Sequence, residues 1–243
     1  MYRGREKVYE DWIIKGLEKG TLISGCDGSY KPKLSKYGIS AAFKIQGVEE
    51  SEYIKGTCCI SGTSADSYRG ELLAIYALLT TLKYIEDHNR TYSKGSISIY
   101  CDSLEVVKIS NKNNTVVKMK KKHNDLIRAI RKIKSTLTTK VCFKHVYGHQ
   151  DRNNFIWQLS NEARSNIEVD HEAQNAFDHA HENGSFIPNA IFFHEGWCIS
   201  IGGVKLQDSM YQYINNWAGK HRLRQYLFSI ILIARNASPE IDS

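Results

Sequence analysis

Hydrophobic and polar positions follow two different periods in the first part of the chain. Three short apolar runs, at residues 22–30, 37–45 and 53–60, are bounded by turn residues and predict the strands of an antiparallel meander. From Ser67 onward, apolar residues recur every three or four positions as far as His88. This spacing predicts an amphipathic helix with Ser67 as its N-cap.

The middle of the chain alternates between strands and helices. Strands are predicted at residues 97–102 and 141–147, and helices at residues 104–109, 124–134 and 159–181. Strands joined through a helix run parallel, because only a crossover connection returns the chain in the same direction. The order therefore predicts an α/β fold: a five-stranded mixed sheet, with three antiparallel strands followed by parallel crossovers, flanked by helices.

The same patterns divide the chain into four regions. Residues 1–19 form an N-terminal extension, and residues 20–183 form the α/β domain. Residues 184–229 predict a small C-terminal appendage, in which a β-hairpin turns at Gly202 and an amphipathic helix follows. Residues 230–243 are expected to be a tail.

Composition is that of a globular protein. The chain has 243 residues, of which 42% are hydrophobic and 24% charged, which excludes a disordered, collagenous or coiled-coil chain. The sequence shows neither a secretory signal nor a run of 18 apolar residues. We therefore expect a soluble, intracellular monomer without membrane contact. The sequence does not distinguish a nuclear from a cytoplasmic location. The six cysteines form no CxxC pair, which favours reduced thiols over a structural zinc site.

The formal net charge of +7 is distributed unevenly. Eight basic residues and one acid lie between Lys118 and Lys134, whereas residues 151–195 hold eight acids and two bases. A basic run of this kind is either a solvated helix face or a nucleic-acid surface that supplies salt-dependent, sequence-independent affinity. We assign nucleic-acid contacts in this run to Lys120, Lys121, Lys122 and Arg128.

Three acids stand at the ends of predicted elements. Asp27 and Asp102 each end a strand, and Glu71 lies in the first turn of the long helix. Either aspartate alone is explained by an edge or capping role. If the two strands are neighbours, alternation points both aspartates to one face and Cys26 and Cys101 to the other. Three converging carboxylates repel one another unless a divalent cation neutralises them, and oxygen ligands select Mg²⁺ or Mn²⁺.

Four motifs in this order resemble the ribonuclease H family, and most closely the type 1 domains of mobile elements that carry a reverse transcriptase. The resemblance covers about residues 22–180. Each motif alone is weakly specific, whereas four in order on the right elements are strongly specific. The motifs are Asp27-Gly28-Ser29, Arg69-Gly70-Glu71-Leu72, Cys101-Asp102-Ser103 and Gly148-His149, the last followed by Gln150-Asp151 and by Leu159-Ser160-Asn161-Glu162-Ala163.

The resemblance implies the ribonuclease H-like fold and an endonuclease that hydrolyses the RNA strand of RNA/DNA hybrids. It implies two Mg²⁺ ions, with Mn²⁺ as the alternative, and products with a 3′-hydroxyl and a 5′-phosphate. The implied metal-binding catalytic acids are Asp27, Glu71 and Asp102, and His149 would assist proton transfer or product release. The implied partners are the hybrid and a reverse transcriptase in a parent polyprotein. Hybrid contacts are implied at Gly28, Ser29, Ser67, Tyr68 and Ser103.

A fourth catalytic and metal-binding acid is expected on the last helix. We assign it to Asp170, although the loop that follows His149 is then longer than in the family. A competing alignment puts Glu162 on the family's motif and leaves Ser165 where the acid belongs. Asp170 is preferred because the competing alignment leaves one metal ion short of a ligand.

Two other functions are compatible with the same motifs. One is a catalytically weakened ribonuclease H-like module that binds nucleic acid or scaffolds a retroelement protein, since this chain has Ser67, Tyr68 and Leu104 where the family commonly carries polar amides. The other is a DNA-acting relative on the same fold, such as an integrase or resolvase. The Asp27-Gly28 turn and the loop at Gly148 favour the ribonuclease over the DNA-acting relative.

Overall fold

The computed structural model divides into two compact units, residues 1–207 and residues 208–243. The second unit lies outside the described residues, and with it the whole of the predicted appendage helix and of the predicted tail. The structure describes residues 6–62, 65–89, 94–112, 122–188, 200–201 and 204–205.

Helices and strands lie close to the positions that the hydrophobic pattern predicts. The helices are α1 (Glu6–Lys19), α2 (Ser67–His88), α3 (Leu104–Asn111), α4 (Asn124–Thr136) and α5 (Asn161–Glu182). The strands are β1 (Leu22–Ser29), β2 (Gly38–Gln46), β3 (Tyr53–Ser61), β4 (Ser96–Cys101), β5 (Lys140–His145), β6 (Ile187–Pro188), β7 (Ser200–Ile201) and β8 (Val204–Lys205).

The main sheet has the strand order β5-β4-β1-β2-β3-β6. Strands β1, β2 and β3 pair antiparallel, whereas β4 runs parallel to β1 and β5 runs parallel to β4. The predicted fold class, a mixed five-stranded sheet with flanking helices, is confirmed. The two-residue strand β6 adds a sixth member beside β3, which the sequence does not predict because two residues carry no alternation.

Helices cover both faces of the sheet, as alternation along β2 shows. Ile39 and Phe43 belong to the main core, which also contains the apolar face of α2. Ala42, which points the other way, packs against Val169 and Ala173 of α5. The central strands β1 and β2 are therefore buried between two layers of helices, whereas β3 and β5 are more exposed.

The N-terminal extension and the start of α2 add detail to the sequence prediction. Ile13 and Leu17 of α1 are buried in the main core, so α1 packs with the sheet.

The N-cap of α2 is Asp66 and not Ser67: its backbone is extended, and its side chain accepts a hydrogen bond from the Arg69 amide at 2.7 Å. Ser67 is the first residue of the helix, and it is exposed.

The described part of the predicted C-terminal appendage contains the short strands β6, β7 and β8. Strands β7 and β8 pair antiparallel, with Ile201 opposite Val204. None of the helices in the described residues is long and apolar enough to cross a membrane.

Candidate metal centre

Two acids predicted from the sequence meet at one edge of the sheet. Asp27 lies near the carboxyl end of β1, and Asp102 directly follows β4. Because β1 and β4 are parallel neighbours, their carboxyl ends lie at the same edge. Asp27 is only 5% exposed, whereas Asp102 is partly exposed. One acid of the pair is thus desolvated and the other faces solvent.

Glu71 joins these acids from the first turn of α2. Its carboxylate hydrogen-bonds to the Asp27 carboxyl group. Ligand atoms of Glu71, Cys101 and Asp102 all lie within 4.8 Å of one another. The structure therefore brings together the three acids of the predicted set that lie on β1, α2 and β4.

A backbone contact between two glycines explains why Glu71 reaches this position. A Cβ atom added at Gly28 would overlap the carbonyl carbon of Gly70 and the amide nitrogen of Glu71. A Cβ added at Gly70 would lie 3.2 Å from the Gly28 Cα. Since no side chain separates β1 from α2 here, the first turn of α2 lies directly against the strand.

Asp170 on α5 also belongs to the cluster. Its negative charge contributes to raising the pKa of both Asp27 and Asp102. Its Oδ2 lies 3.6 Å from His149 Nδ1, and its Oδ1 accepts a hydrogen bond from Gln174 at 2.6 Å. Gln174 is a further site residue that the motifs do not contain, although it lies one helical turn beyond Asp170.

The residues of the competing alignment lie elsewhere. Ser165 is 2% exposed and packs against Gly25, where an added Cβ would lie 2.7 Å from its hydroxyl oxygen. Glu162 accepts a hydrogen bond from the Tyr100 hydroxyl at 3.4 Å. Neither residue shares the electrostatic contacts that link Asp170 to the other acids.

The loop after β5 passes close to Asp102. A Cβ added at Gly148 would lie 2.5 Å from Asp102 Oδ2, so only glycine fits beside the carboxylate in this arrangement. His149 follows in the left-handed backbone region, with φ of 51°, and its side chain is half exposed. His145, which the motifs do not contain, has its Nε2 at 3.0 Å from the Asp102 backbone oxygen.

Burial and mutual repulsion raise the pKa values of the carboxyl groups. Burial raises the pKa of Asp27 to about 7, with further contributions from the charges of Asp102 and Asp170. Burial and the Asp27 charge hold the pKa of Glu71 well above its ordinary range. Burial also raises the pKa of Asp102, which the charge of His149 partly opposes. Without a cation, burial and repulsion therefore favour the protonated forms of Asp27 and Glu71, because both raise the pKa of each group.

These properties fit a hard divalent cation. Apart from the Cys101 thiol, the donors that converge are carboxylate oxygens, the ligands that Mg²⁺ and Mn²⁺ prefer. In the described residues, neither lysine nor arginine forms an ion pair with Asp27, Glu71, Asp102 or Asp170. A cation would therefore supply the positive charge that these four acids lack.

The alternation of side chains along β4 does not predict that Cys101 lies beside the acids. The sequence places it on the opposite face of its strand from Asp102. In the structure, the Cys101 thiol lies 3.4 Å from Glu71 Oε2. The reason is that α2 covers the face of the sheet to which Cys101 points, and Glu71 is a residue of that helix.

The predicted nucleic-acid contacts fall into two groups. Those beside the acids differ in exposure: Ser29 is buried, Gly28 and Ser103 are partly exposed, and Ser67 is exposed. Tyr68 is partly buried, and its hydroxyl group has no hydrogen-bond partner among the described residues.

The second group lies at the start of α4. Lys122 is exposed and forms an ion pair with Asp66 at 2.5 Å, and Arg128 is exposed on the helix surface. Lys120 and Lys121 lie outside the described residues.

The fold and the carboxylate cluster define an α/β protein with a mixed five-stranded sheet and a candidate metal centre. Neither a protein-family model nor a curated protein sequence matches the chain.

Similar solved structures are RNase H1 structures and RNase H domains of retroviral reverse transcriptases. LC11-RNase H1, solved with an RNA/DNA hybrid, is 15% identical, with 65% of this chain and 98% of that chain covered and a TM-score of 0.48. RNase H1 from Halobacterium salinarum is 14% identical, with coverages of 65% and 98% and a TM-score of 0.46. The RNase H domain of prototype foamy virus is 21% identical, with coverages of 65% and 95% and a TM-score of 0.46. At these identities the likeness concerns the fold.

Proposed function

We propose that the chain is a metal-dependent endonuclease that hydrolyses the RNA strand of RNA/DNA hybrids. The observation that carries the proposal is the convergence of four carboxylates, from β1, α2, the end of β4 and α5, at one edge of the sheet. Acids with a structural role are expected to pair with basic side chains, whereas these repel one another. Such a cluster costs free energy unless it binds a cation.

The proposed ligands are Asp27, Glu71, Asp102 and Asp170, and the proposed occupants are two Mg²⁺ or Mn²⁺ ions. Held by these four acids, the ions would supply polarisation of an attacking water and stabilisation of the leaving 3′ oxygen, chemistry that would leave a 3′-hydroxyl and a 5′-phosphate. His149 is half exposed and 3.6 Å from Asp170, so it can exchange a proton with solvent at the rim of the site.

The proposed substrate contacts begin at the exposed residues around the acids. Ser67 and Ser103 start the two helices that frame the site, and the basic segment that ends at Lys122 precedes α4. Lysine and arginine contacts to phosphates release counterions, so we expect hybrid binding to weaken steeply with salt.

Cleavage of a labelled RNA strand tests the proposal. The strand is presented in a hybrid, in duplex RNA and alone, with Mg²⁺ or with EDTA. We expect Mg²⁺-dependent cleavage of the hybrid only, lost in Asp27→Asn and Asp102→Asn and weakened in Asp170→Asn. Glu168→Gln is the matched control on α5, because Glu168 pairs with Lys44 at 2.6 Å instead of facing the acids.

Each other outcome leads to a different conclusion. Hybrid binding without cleavage of any substrate would favour a binding module. Cleavage of duplex DNA would favour a DNA-acting relative. Activity that survives Asp27→Asn, in a variant whose circular dichroism matches the parent, would overturn the assignment of the site.

A further inference from the structure

A second polar cluster lies on the side of α2 that faces α4. Arg69 and Asp125 form a two-pronged ion pair, in which Nη1 donates to Oδ1 at 3.0 Å and Nη2 donates to Oδ2 at 2.6 Å. Both side chains are buried, with 1% and 7% of their surfaces exposed. The pair joins the first turn of α2 to the first turn of α4. We call Asp66, Arg69, His123 and Asp125 the α2 clamp.

His123 connects the ion pair to the cap of α2. Its Nε2 lies 3.0 Å from both carboxylate oxygens of Asp66, and its Nδ1 lies 3.3 Å from Arg69 Nη1. One tautomer satisfies all these contacts: Nε2 donates to Asp66 and Nδ1 accepts from Arg69. His123 is 1% exposed and adopts the left-handed backbone region, with φ of 55°. A bulky residue holds this conformation only where its surroundings fix it.

The α2 clamp and the contact between Gly28 and Gly70 both hold the first turn of α2, from two different sides. Arg69 reaches α4, Gly70 lies against the Gly28 backbone, and Glu71 reaches the metal centre. Residues two apart on a helix face opposite ways, so Arg69 and Glu71 point away from each other. A shift of the turn that relaxed the Arg69 pair would therefore move Glu71 relative to Asp27.

The residues of the α2 clamp are charged or polar, although apolar residues at these buried positions would make the fold at least as stable. A buried ion pair gains little free energy over well-packed apolar residues, because two charges must be desolvated. That cost is visible at Arg69 Nε, which is buried without a hydrogen-bond partner among the described residues. What two parallel hydrogen bonds add is a fixed orientation, which an apolar contact does not impose.

We propose that the α2 clamp positions Glu71 for metal binding, with Arg69 and Asp125 as positioning residues. The inference rests on the proposed function in taking Glu71 as a metal ligand. Residues that orient metal ligands typically change metal affinity about 10–100-fold when they are replaced. Neither Arg69 nor Asp125 touches the metal ion itself.

Mn²⁺ binding to the full chain, measured by calorimetry, tests the proposal without depending on activity. Asp125→Asn keeps the side-chain shape and removes the charge that pairs with Arg69. We expect its Mn²⁺ dissociation constant to rise about tenfold or more, with the KM for hybrid unchanged. Asp178→Asn is the matched control, because Asp178 also accepts two hydrogen bonds from a cation, Lys31, but lies on α5. Its Mn²⁺ affinity should equal that of the parent.

A second variant keeps the test decisive if Asp125→Asn fails to fold. Arg69→Lys retains the charge but not the parallel pair of hydrogen bonds, so its Mn²⁺ affinity should also fall. Asp125→Glu retains the charge and should recover part of the affinity. Parent-like Mn²⁺ binding in a folded Asp125→Asn or Arg69→Lys would overturn the proposal, whatever its thermal stability. Failure of the proposed function is a distinct result, in which the parent binds Mn²⁺ and cleaves nothing. A parent that binds no Mn²⁺ overturns both.

Discussion

Gly28 of β1 and Gly70 of α2 touch backbone to backbone, and this contact sets the distance between the strand that carries Asp27 and the helix that carries Glu71. Both glycines lie in motifs beside the acids that they bring together. Their function in the structure is to be small, since any Cβ at Gly28 would overlap the backbone of α2. The candidate metal centre therefore depends on two residues without side chains.

Gly28→Ala should weaken both the fold and the metal centre. Because the added methyl group meets backbone that cannot rotate away, we expect a loss of about 1–3 kcal/mol in the free energy of unfolding, typical of overpacking. Mn²⁺ affinity should fall as well, because α2 must move away from β1. Denaturant unfolding and calorimetry measure the two effects.

Gly70→Ala is the informative companion variant. Its Cβ would lie 3.2 Å from the Gly28 Cα, and alanine favours a helix interior over glycine by about 1 kcal/mol, so the net loss of stability should be smaller. Gly184→Ala serves as the control for Mn²⁺ affinity alone, since nothing lies within 4 Å of its added Cβ, whereas its φ of 59° makes alanine strained and lowers stability there as well. Equal Mn²⁺ affinity in Gly28→Ala and in this control would contradict the role given to the glycine contact.

Gly148→Ala should separate metal binding from stability. The added Cβ would lie 2.5 Å from Asp102 Oδ2, the far end of a partly exposed side chain that can rotate aside. We expect an unchanged melting temperature together with weaker Mn²⁺ binding, because the displaced oxygen is a proposed ligand. A parent-like dissociation constant would show that Asp102 binds no metal through that oxygen.

Much of the fold follows from hydrophobic periodicity alone. Helix α2 begins and ends where its apolar spacing begins and ends, and β1 to β5 lie close to their predicted positions. These elements are predictable because each buries a face whose period is set by its own geometry. The acids at the ends of β1 and β4 follow from the same reasoning, since parallel neighbours end at one edge.

Features that depend on a tertiary neighbour could not be predicted in the same way. Asp66 outcompetes Ser67 as the N-cap because it also meets His123 and Lys122, which come from the start of α4. The Arg69–Asp125 pair joins residues 56 positions apart, and sequence spacing contains no signal for it. The position of Cys101 beside Glu71 likewise depends on how α2 packs on the sheet.

Removal of metal should make stability depend on pH in a defined direction. The pKa of Asp27 is about 7 in the folded chain, above the value of about 4 expected for an unfolded aspartate. The folded state therefore binds more protons, so this contribution to stability is complete below about pH 4 and is lost as the pH rises to about 7. In EDTA, the melting temperature should fall between about pH 4 and pH 7, and Mg²⁺ should oppose the fall.

Asp27→Asn provides the control for this pH dependence. Asparagine does not titrate, so the fall in melting temperature in EDTA should be smaller than in the parent, although the raised pKa values of Glu71 and Asp102 leave part of it. A parent whose melting temperature in EDTA is flat or rises over this range would contradict the assignment of raised pKa values to these acids.

The thiol of Cys101 should give the centre a sensitivity to soft metal ions. Ligand atoms of Cys101, Glu71 and Asp102 lie within 4.8 Å of one another, and thiolate ligands favour Zn²⁺ over Mg²⁺. We expect Cys101→Ser to bind Zn²⁺ about tenfold or more weakly than the parent, in line with the loss of one ligand, while its Mg²⁺ affinity stays the same. Cys58→Ser is the matched control, because Cys58 belongs to no such cluster in the described residues. Calorimetry with each ion measures the difference, and equal Zn²⁺ affinity in the two serine variants would exclude Cys101 as a ligand.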